Sequence, residues 1–424
     1  MNAVAPGTRV PLGGKRCVRD ASGRGALPSV CRNRKNVMDS ICFLERLIAF
    51  PTVSRDSNLD LIAYVSDVLR AHGIASQIVS SRDGRKANLF ATIGPQDRPG
   101  IMLSGHTDTV PVDGQHWTLP PFAMTERDGK LYGRGAADMK GFLACALTAA
   151  IRASERELAT PLHLAFSYDE EVGCIGVRRL IEALQSAPHR PLLCIVGEPT
   201  GMQVATGHKG KVAARAICKG REGHSALAPL ALNAIHLGCD FVATLRREQH
   251  RLAREGSRDG DYDIPYTTIH VGRFEAGIAL NVVPYLCQLD FEIRNVADDD
   301  PEAILAGLKA EAARIAAEAS SLAPEAAVHI QVLNSYPGLD TPASSQAVAF
   351  VKSLTGSNST IKVAFGTEGG LFHRDLGVPS VICGPGSMAQ GHKPDEYVAV
   401  EQIRRCDEMM DRLLARLAEP TPFG

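Results

Sequence analysis

The chain has 424 residues, of which 45% are hydrophobic, 22% charged and 5% aromatic, enough for two or three domains with their own cores and an ordinary globular composition. A formal net charge of -1 gives no overall field to attract nucleic acid or a membrane surface. The apolar run over 142–151 is too short to span a bilayer, so neither nucleic acid nor membrane is expected as a partner.

Residues 1–37 stand apart. They carry eight Lys or Arg (Arg9, Lys15, Arg16, Arg19, Arg24, Arg32, Arg34, Lys35) against one acid, Asp20, with no apolar period. Transit peptides share that composition; the preferred reading is a disordered extension or an upstream start, with Met38 the true beginning. Asp39-Ser40 then caps a helix over 41–50. The 11 cysteines are an odd number without a CxxC pair, and most lie in apolar segments. They read as reduced, buried and inert, in keeping with the cytoplasm.

Further along, the spacing predicts a helix over 61–72, strands over 87–93 and 100–103, and a helix over 141–153. A strand over 162–167, a helix over 175–184 and a strand over 192–196 follow. Short strands between longer helices indicate an α/β sheet. Near residue 208 the pattern changes: strand 211–219, helix 232–246, strands 267–274 and 288–293, helix 301–317, strand 328–333. That order is the split βαβ motif of a ferredoxin-like sandwich. From 335 the alternation returns, with helices 345–354 and 401–417 and strands 362–364 and 380–383. The expected layout is therefore a catalytic domain in two parts, 38–208 and 335–424, with an insert over 209–334.

Chemistry-bearing residues gather at strand ends and turns. His106-Thr107-Asp108 follows an apolar run, where a histidine can ligate a metal and the aspartate can orient it. Gly133-Arg134-Gly135-Ala136-Ala137-Asp138-Met139-Lys140-Gly141 leads into a helix; read alone, Asp138 is better explained as an N-cap. Asp169-Glu170-Glu171 follows the strand 162–167; alone it is equally a solvated acidic turn. Gly197-Glu198-Pro199 and His392 complete the set. Two histidines and three ligating carboxylates, with one glutamate to spare, suit two borderline cations sharing a bridging carboxylate, zinc by default. Such sites lie at the carboxyl ends of strands in α/β sheets.

In order, these motifs resemble those of the dinuclear zinc metallohydrolases, a family that includes acetylornithine deacetylases, succinyl-diaminopimelate desuccinylases, aminoacylases and glutamate carboxypeptidases. The resemblance covers residue 38 to the C-terminus. Lys86-Ala87-Asn88-Leu89-Phe90-Ala91, the run from Phe166 to Cys174, Gly207-His208-Lys209-Gly210-Lys211 and His392-Lys393-Pro394-Asp395-Glu396-Tyr397-Val398 are most similar to the acetylornithine deacetylase branch. The resemblance implies a zinc-dependent exopeptidase-like α/β catalytic domain with an inserted ferredoxin-like (α+β) lid and dimerisation domain. It implies two divalent cations, zinc first and cobalt as the other candidate: His106 and Glu198 on one, Glu171 and His392 on the other, Asp138 between them. Asp108 would hydrogen-bond His106, and Glu170 would be general base and then acid. A cis Asp138–Met139 bond is also implied.

In the insert, His224 in Gly223-His224-Ser225-Ala226 resembles a lid histidine that binds the oxyanion, typically from the partner of a homodimer. Asn281 and Arg294 match positions that bind the substrate carboxylate. Read without the resemblance, His224 is a loop histidine and Arg294 a surface ion pair. Glu368 lies in a stretch similar to a substrate-side loop, where it meets a substrate ammonium or serves the structure. The related deacetylases often carry another residue where Gly223 stands, which puts the side-chain pocket in question.

The implied reaction is hydrolysis of N2-acetyl-L-ornithine to ornithine and acetate in arginine biosynthesis, by a cytoplasmic enzyme acting on a small N-acylated amino acid. A related N-acyl-amino-acid deacylase is the near alternative. A non-catalytic metal-binding relative is the distant one, set against by the presence of Glu170 and every ligand position. No GxSxG occurs for a serine hydrolase, and neither a P-loop nor a complete dinucleotide fingerprint is present.

Overall fold

Four of the apolar runs lie side by side as parallel strands in the order Leu162–Ser167, Ile101–His106, Leu193–Pro199, Ser380–Gly384. Every residue in them is buried in the computed structural model, which is why they read as continuous rather than alternating hydrophobic stretches. The structure describes residues 39–421 and 423; the expectations for residues 1–37 lie outside them. Antiparallel strands extend the sheet. Ala87–Ile93 and then Ser76–Ser80 add beyond Leu162–Ser167; Ala205–His208 and Leu339–Asp340 add beyond Ser380–Gly384, with Ile361–Val363 parallel to Ala205–His208.

Helices cover both faces. On one, Gly141–Ser154 packs against the sheet and is backed by Ser40–Ile48 and Val400–Leu417. On the other lie Val177–Gln185 and Gly369–Leu376. The small side chains of Gly141–Ser154 let it approach closely. A Cβ at Gly197 would fall 1.9 Å from Phe142 Cγ, so that strand accepts only glycine where the helix crosses it. Burying Phe142 completely contributes about 1.5–3 kcal/mol.

The insert forms its own four-stranded antiparallel sheet, ordered Thr268–Ala276, Leu286–Asn295, Gly210–Lys219, Ala327–Tyr336. Gly210–Lys219 and Leu286–Asn295 alternate buried and half-buried residues, as expected of strands with one covered face. Helices Ala234–Glu255 and Pro301–Ala319 pack together on that face, capped by Asn233 and Asp300. Phe241 meets Phe291 edge-on at 5.8 Å.

Several elements differ from expectation. Ala234–Glu255 runs nine residues past 246, because its apolar stripe thins to Leu252 while the Glu248–Arg251 pair supports the charged turns. Helix Gly369–Leu376 begins on two glycines, a start that propensity argues against. A small sheet of Thr125–Arg127, Lys130–Tyr132 and Tyr397–Ala399 joins segments too short to show a period. Eight described cysteines are free, seven of them buried; Cys42 is disulfide-bonded, contrary to the reading of the cysteines as reduced. No described helix is long and apolar enough to cross a membrane.

Candidate metal centre and active site

The carboxyl ends of the four parallel strands converge on one cluster. His106 ends its strand and is buried. Its Nδ1 lies 3.0 Å from the Asp108 carbonyl oxygen, to which it donates, so Nε2 faces Asp138 Oδ1 at 3.1 Å and Glu198 Oε1 at 3.6 Å. Asp108 therefore reaches His106 mainly through its carbonyl, with its carboxylate at 3.5 Å. That carboxylate accepts from Ser54 Oγ at 2.7 Å and from the backbone N–H groups of Glu170 and Glu171 at 3.1 and 3.3 Å. It thus pins the acidic turn that follows the strand Leu162–Ser167.

Asp138 arrives by another route, on a turn between the strand Lys130–Tyr132 and the helix Gly141–Ser154. The Asp138–Met139 peptide is cis, as the resemblance implies. Its Oδ2 lies 3.2 Å from His392 Nε2, which also meets Glu171 Oε2 at 2.9 Å. Asp138 is thus the carboxylate between the two histidines. Donor atoms of His106, Glu170 and Glu198 lie within 4.8 Å of one another, as do those of His106, Asp138 and Glu171. Lys86 pairs with Asp169 at 2.5 Å and anchors the start of the turn, where Asp169 has φ +56°.

The charges are crowded. Burial, opposed by His106 and reinforced by Glu171 and Asp138, pushes Glu170 up to about 8. Burial and Asp138 push Glu171 up to about 7, against the pull of His392. Glu198 is raised well above the usual range by burial and then by Asp138. Burial opposes ionisation of Asp138 too, but hydrogen bonds from both histidines hold it low. His392 is raised to about 10 by its hydrogen bonds to Asp138 and Glu171.

A cavity of about 200 Å³ opens over the cluster. Its lining combines Asp138, Glu170, Glu171, Glu198 and His392 with Phe365, Gly366 and Met388, and the insert's sheet adds Lys211, Arg294 and Tyr336. Arg294 donates to Tyr336 Oη at 2.9 Å and to Glu292 at 3.1 and 3.3 Å, and Lys211 lies 3.5 Å from Glu292.

The other expected site residues fall elsewhere. His224 and Asn281 are exposed at the short two-stranded sheet that pairs Gly223–His224 with Val282–Val283, and neither lines the cavity. His224 Nδ1 accepts from Ala226 N–H at 3.1 Å. Glu368 does not line the cavity either. It is buried behind the acidic turn, where its carboxylate accepts from Ser104 Oγ at 3.3 Å and Ser167 Oγ at 2.5 Å, and burial raises it to about 7. The buried serines one turn of strand behind His106 and Glu170 are what turns it inward. Lys211 and Tyr336 were not anticipated. Lys211 stands opposite Arg294 on the neighbouring strand, and Tyr336 stands opposite Lys211 on the strand beyond it.

The fold and this cluster define a class. A family model, peptidase family M20/M25/M40, matches residues 102–416. The chain belongs to that family of metallohydrolases acting on amide bonds. It is 35% identical to an acetylornithine deacetylase of Myxococcus xanthus over 378 residues, covering 88% of this chain and 96% of the relative. It is 32% identical to an acetylornithine deacetylase of Pasteurella multocida (strain Pm70) over 389 residues, covering 90% and 99%. Among solved structures, an M20 family metallo-carboxypeptidase from Sulfolobus solfataricus superposes with a TM-score of 0.72 at 20% identity, covering 89% of this chain and 99% of that one.

Proposed function

We propose that this protein hydrolyses N2-acetyl-L-ornithine to L-ornithine and acetate, a step of arginine biosynthesis, as a cytoplasmic homodimer holding two divalent cations, zinc first and cobalt as the alternative. What carries the reading is likeness to two acetylornithine deacetylases over nearly their whole length, together with a full set of donors around one cavity.

The residues fit paired cations. Imidazole nitrogens and carboxylate oxygens are the donor types zinc takes. Glu171 Oε1 is buried without a hydrogen-bond partner, a cost a native fold rarely carries without a ligand. His106 and Glu198 would hold one cation and Glu171 and His392 the other, with Asp138 contributing an oxygen to each. When bound, such cations lower the pKa of a coordinated water and polarise the amide oxygen.

The chain's own groups supply the rest. Glu170 takes the proton of the attacking water on its carboxylate and returns it to the leaving nitrogen. Its burial suits both roles, because a carboxyl poised near neutrality both accepts and donates. Arg294, held by Glu292 and Tyr336, binds the substrate carboxylate. His224 and Asn281 would complete the site from the two-stranded sheet of a second subunit; their exposure in the single chain supports that role.

One observation favours the alternative of a succinylated substrate: Lys211 stands beside Arg294 as a second cation. Glu292 touches both and offsets one positive charge. The insert's lining is left with a single net positive charge, which matches the one carboxylate of an acetylated amino acid.

The test is metal-dependent hydrolysis of N-acetyl-ornithine beside N-succinyl-diaminopimelate, N-acetyl-methionine and N-acetyl-citrulline, by wild type and Glu170→Ala. Preference for N-acetyl-ornithine, lost in the variant, is expected. Glutamate-dependent preference for another substrate would keep the chemistry and replace the substrate. No turnover of any of the four by the zinc-loaded protein would sink the proposal.

A further inference from the structure

Glu396 lies in the run that follows His392 and is 1% exposed. Its carboxylate accepts four hydrogen bonds. Oε1 takes the backbone N–H groups of Ala137 at 2.9 Å and Asp138 at 3.1 Å. Oε2 takes the N–H of Gly135 at 3.1 Å and Arg134 Nη1 at 2.7 Å. Successive N–H groups turned towards one anion form a nest, and here the anion is built into the protein. The turn it holds is irregular: Gly135 has φ +81° and Asp138 φ -122°, and a wide backbone hydrogen bond from Lys140 N–H to the Gly135 carbonyl at 2.7 Å closes it.

The network continues to the other side of the site. Arg134 Nη2 donates to Gln115 Oε1 at 2.5 Å, and Gln115 Nε2 donates to the His392 carbonyl at 2.8 Å. The Arg134 guanidinium also lies over the Trp117 ring, 4.9 Å from its centroid. The backbone of Asp138 and the backbone of His392 are therefore tied to one buried ion pair, although 254 positions separate them in sequence (392 − 138). Asp138 has to present one oxygen towards His106 and the other towards His392, at 3.1 and 3.2 Å. A carboxylate shared between two partners tolerates little rotation, and the elements that fix its backbone decide whether it reaches both.

We propose that Glu396 is a positioning residue for the paired-cation site: it sets the turn that presents Asp138 and, through Arg134 and Gln115, the segment that presents His392. This rests on the metal reading above. Glu396→Gln keeps the shape but fails chemically. Whichever oxygen becomes NH2, that group meets two donors, either the Ala137 and Asp138 N–H groups or the Gly135 N–H and Arg134. Loss of the negative charge also leaves Arg134 buried and uncompensated.

The experiment is calorimetric titration of zinc into the metal-stripped full chain for wild type, Glu396→Gln and Gln115→Ala, with the melting temperature of each metal-free protein recorded separately. Two zinc ions are expected per wild-type chain. Zinc binding by folded Glu396→Gln should be weaker by about 10–100-fold at one or both sites, the usual effect of removing a group that orients ligands. Gln115→Ala, at a half-exposed loop position, should stay folded and lose affinity at the low end of that range. A Glu396→Gln protein that melts earlier but binds zinc as wild type does would make the residue merely structural and overturn the proposal. Should that variant fail to fold, wild-type affinity in Gln115→Ala overturns it instead. Failure of wild type to bind zinc would remove the metal reading itself, which is a different result from an unaffected variant.

Discussion

At the scale of single residues, the site is a problem of too many carboxylates in too little water. Asp138, Glu170, Glu171 and Glu198 share one buried cluster with two histidines, and three of the four are pushed upward by burial. On the proposed assignment Glu170 is the one carboxylate of the four that holds no cation. Glu170→Gln should therefore lower kcat by about 10²–10⁴-fold while native mass spectrometry still finds two zinc ions per chain; a variant that also loses zinc would make Glu170 a ligand. Asp138→Asn should bind fewer than two ions per chain by the same measurement, because an amide offers one acceptor where a carboxylate offers two. His106 could be read from the chain because its motif carries the chemistry locally, whereas Asp138 was reached through the family resemblance of its motif. The place of Glu368 could not. Its carboxylate turns towards Ser104 and Ser167, residues more than 200 positions away, and nothing in Gly366-Thr367-Glu368-Gly369-Gly370 states whether it faces substrate or core.

At the scale of elements, the parallel strands are held against their helices with little tolerance. Gly197→Ala would put a Cβ into the Phe142 ring. Overpacking of this kind costs about 1–3 kcal/mol, and because Glu198 is the next residue, the urea midpoint and zinc affinity should fall together. An unchanged midpoint would mean that helix and strand separate easily. His163, on the strand Leu162–Ser167, supplies a pH dependence. Its ring lies 2.9 Å from Thr92 Oγ1 and stacks on Phe90, and burial pushes its pKa down to about 4. The unfolded chain takes the same proton near the ordinary value of about 6.5. The stabilisation from the neutral ring is thus full above about 6.5 and disappears as pH falls towards 4, amounting to roughly 3 kcal/mol. Urea midpoints of wild type should fall more steeply over that window than those of His163→Gln; parallel slopes would rule out this histidine as the source. The periodicity placed most of these elements, since burial on one face or two leaves a mark in sequence. It missed Gly369–Leu376 and the sheet joining Lys130–Tyr132 to Tyr397–Ala399, where distant contacts rather than local preference form the element.

At the scale of the whole molecule, the insert lines part of the cavity and is also strapped to the main domain. Lys362 pairs with Asp340 at 2.7 Å and with Asp259 of the insert at 2.5 Å. Within the insert, Lys209 holds the same loop by donating to the carbonyls of Ile264 and Tyr266 at 2.8 and 2.7 Å. Removing a partly buried charged hydrogen bond costs about 1.5–3 kcal/mol. Asp259→Ala should therefore speed amide hydrogen exchange over 259–266; unchanged exchange would show that Lys209 holds the loop alone. Arg294→Ala should raise KM for the acylated amino acid more than it lowers kcat, since its guanidinium faces the cavity from the insert rather than from the reacting side.

By itself the sequence determined the alternation of strands and helices and the inserted sandwich, and it singled out the candidate metal-ligating residues, because those depend on local hydrophobic period and on short motifs. Only the tertiary structure decided that Lys211 and Tyr336 line the site with Arg294, that Glu368 turns inward, and that Glu396 holds the turn carrying Asp138. The physical reason is that a charged side chain acts through its burial and its partners, and here those partners come from the far end of the chain.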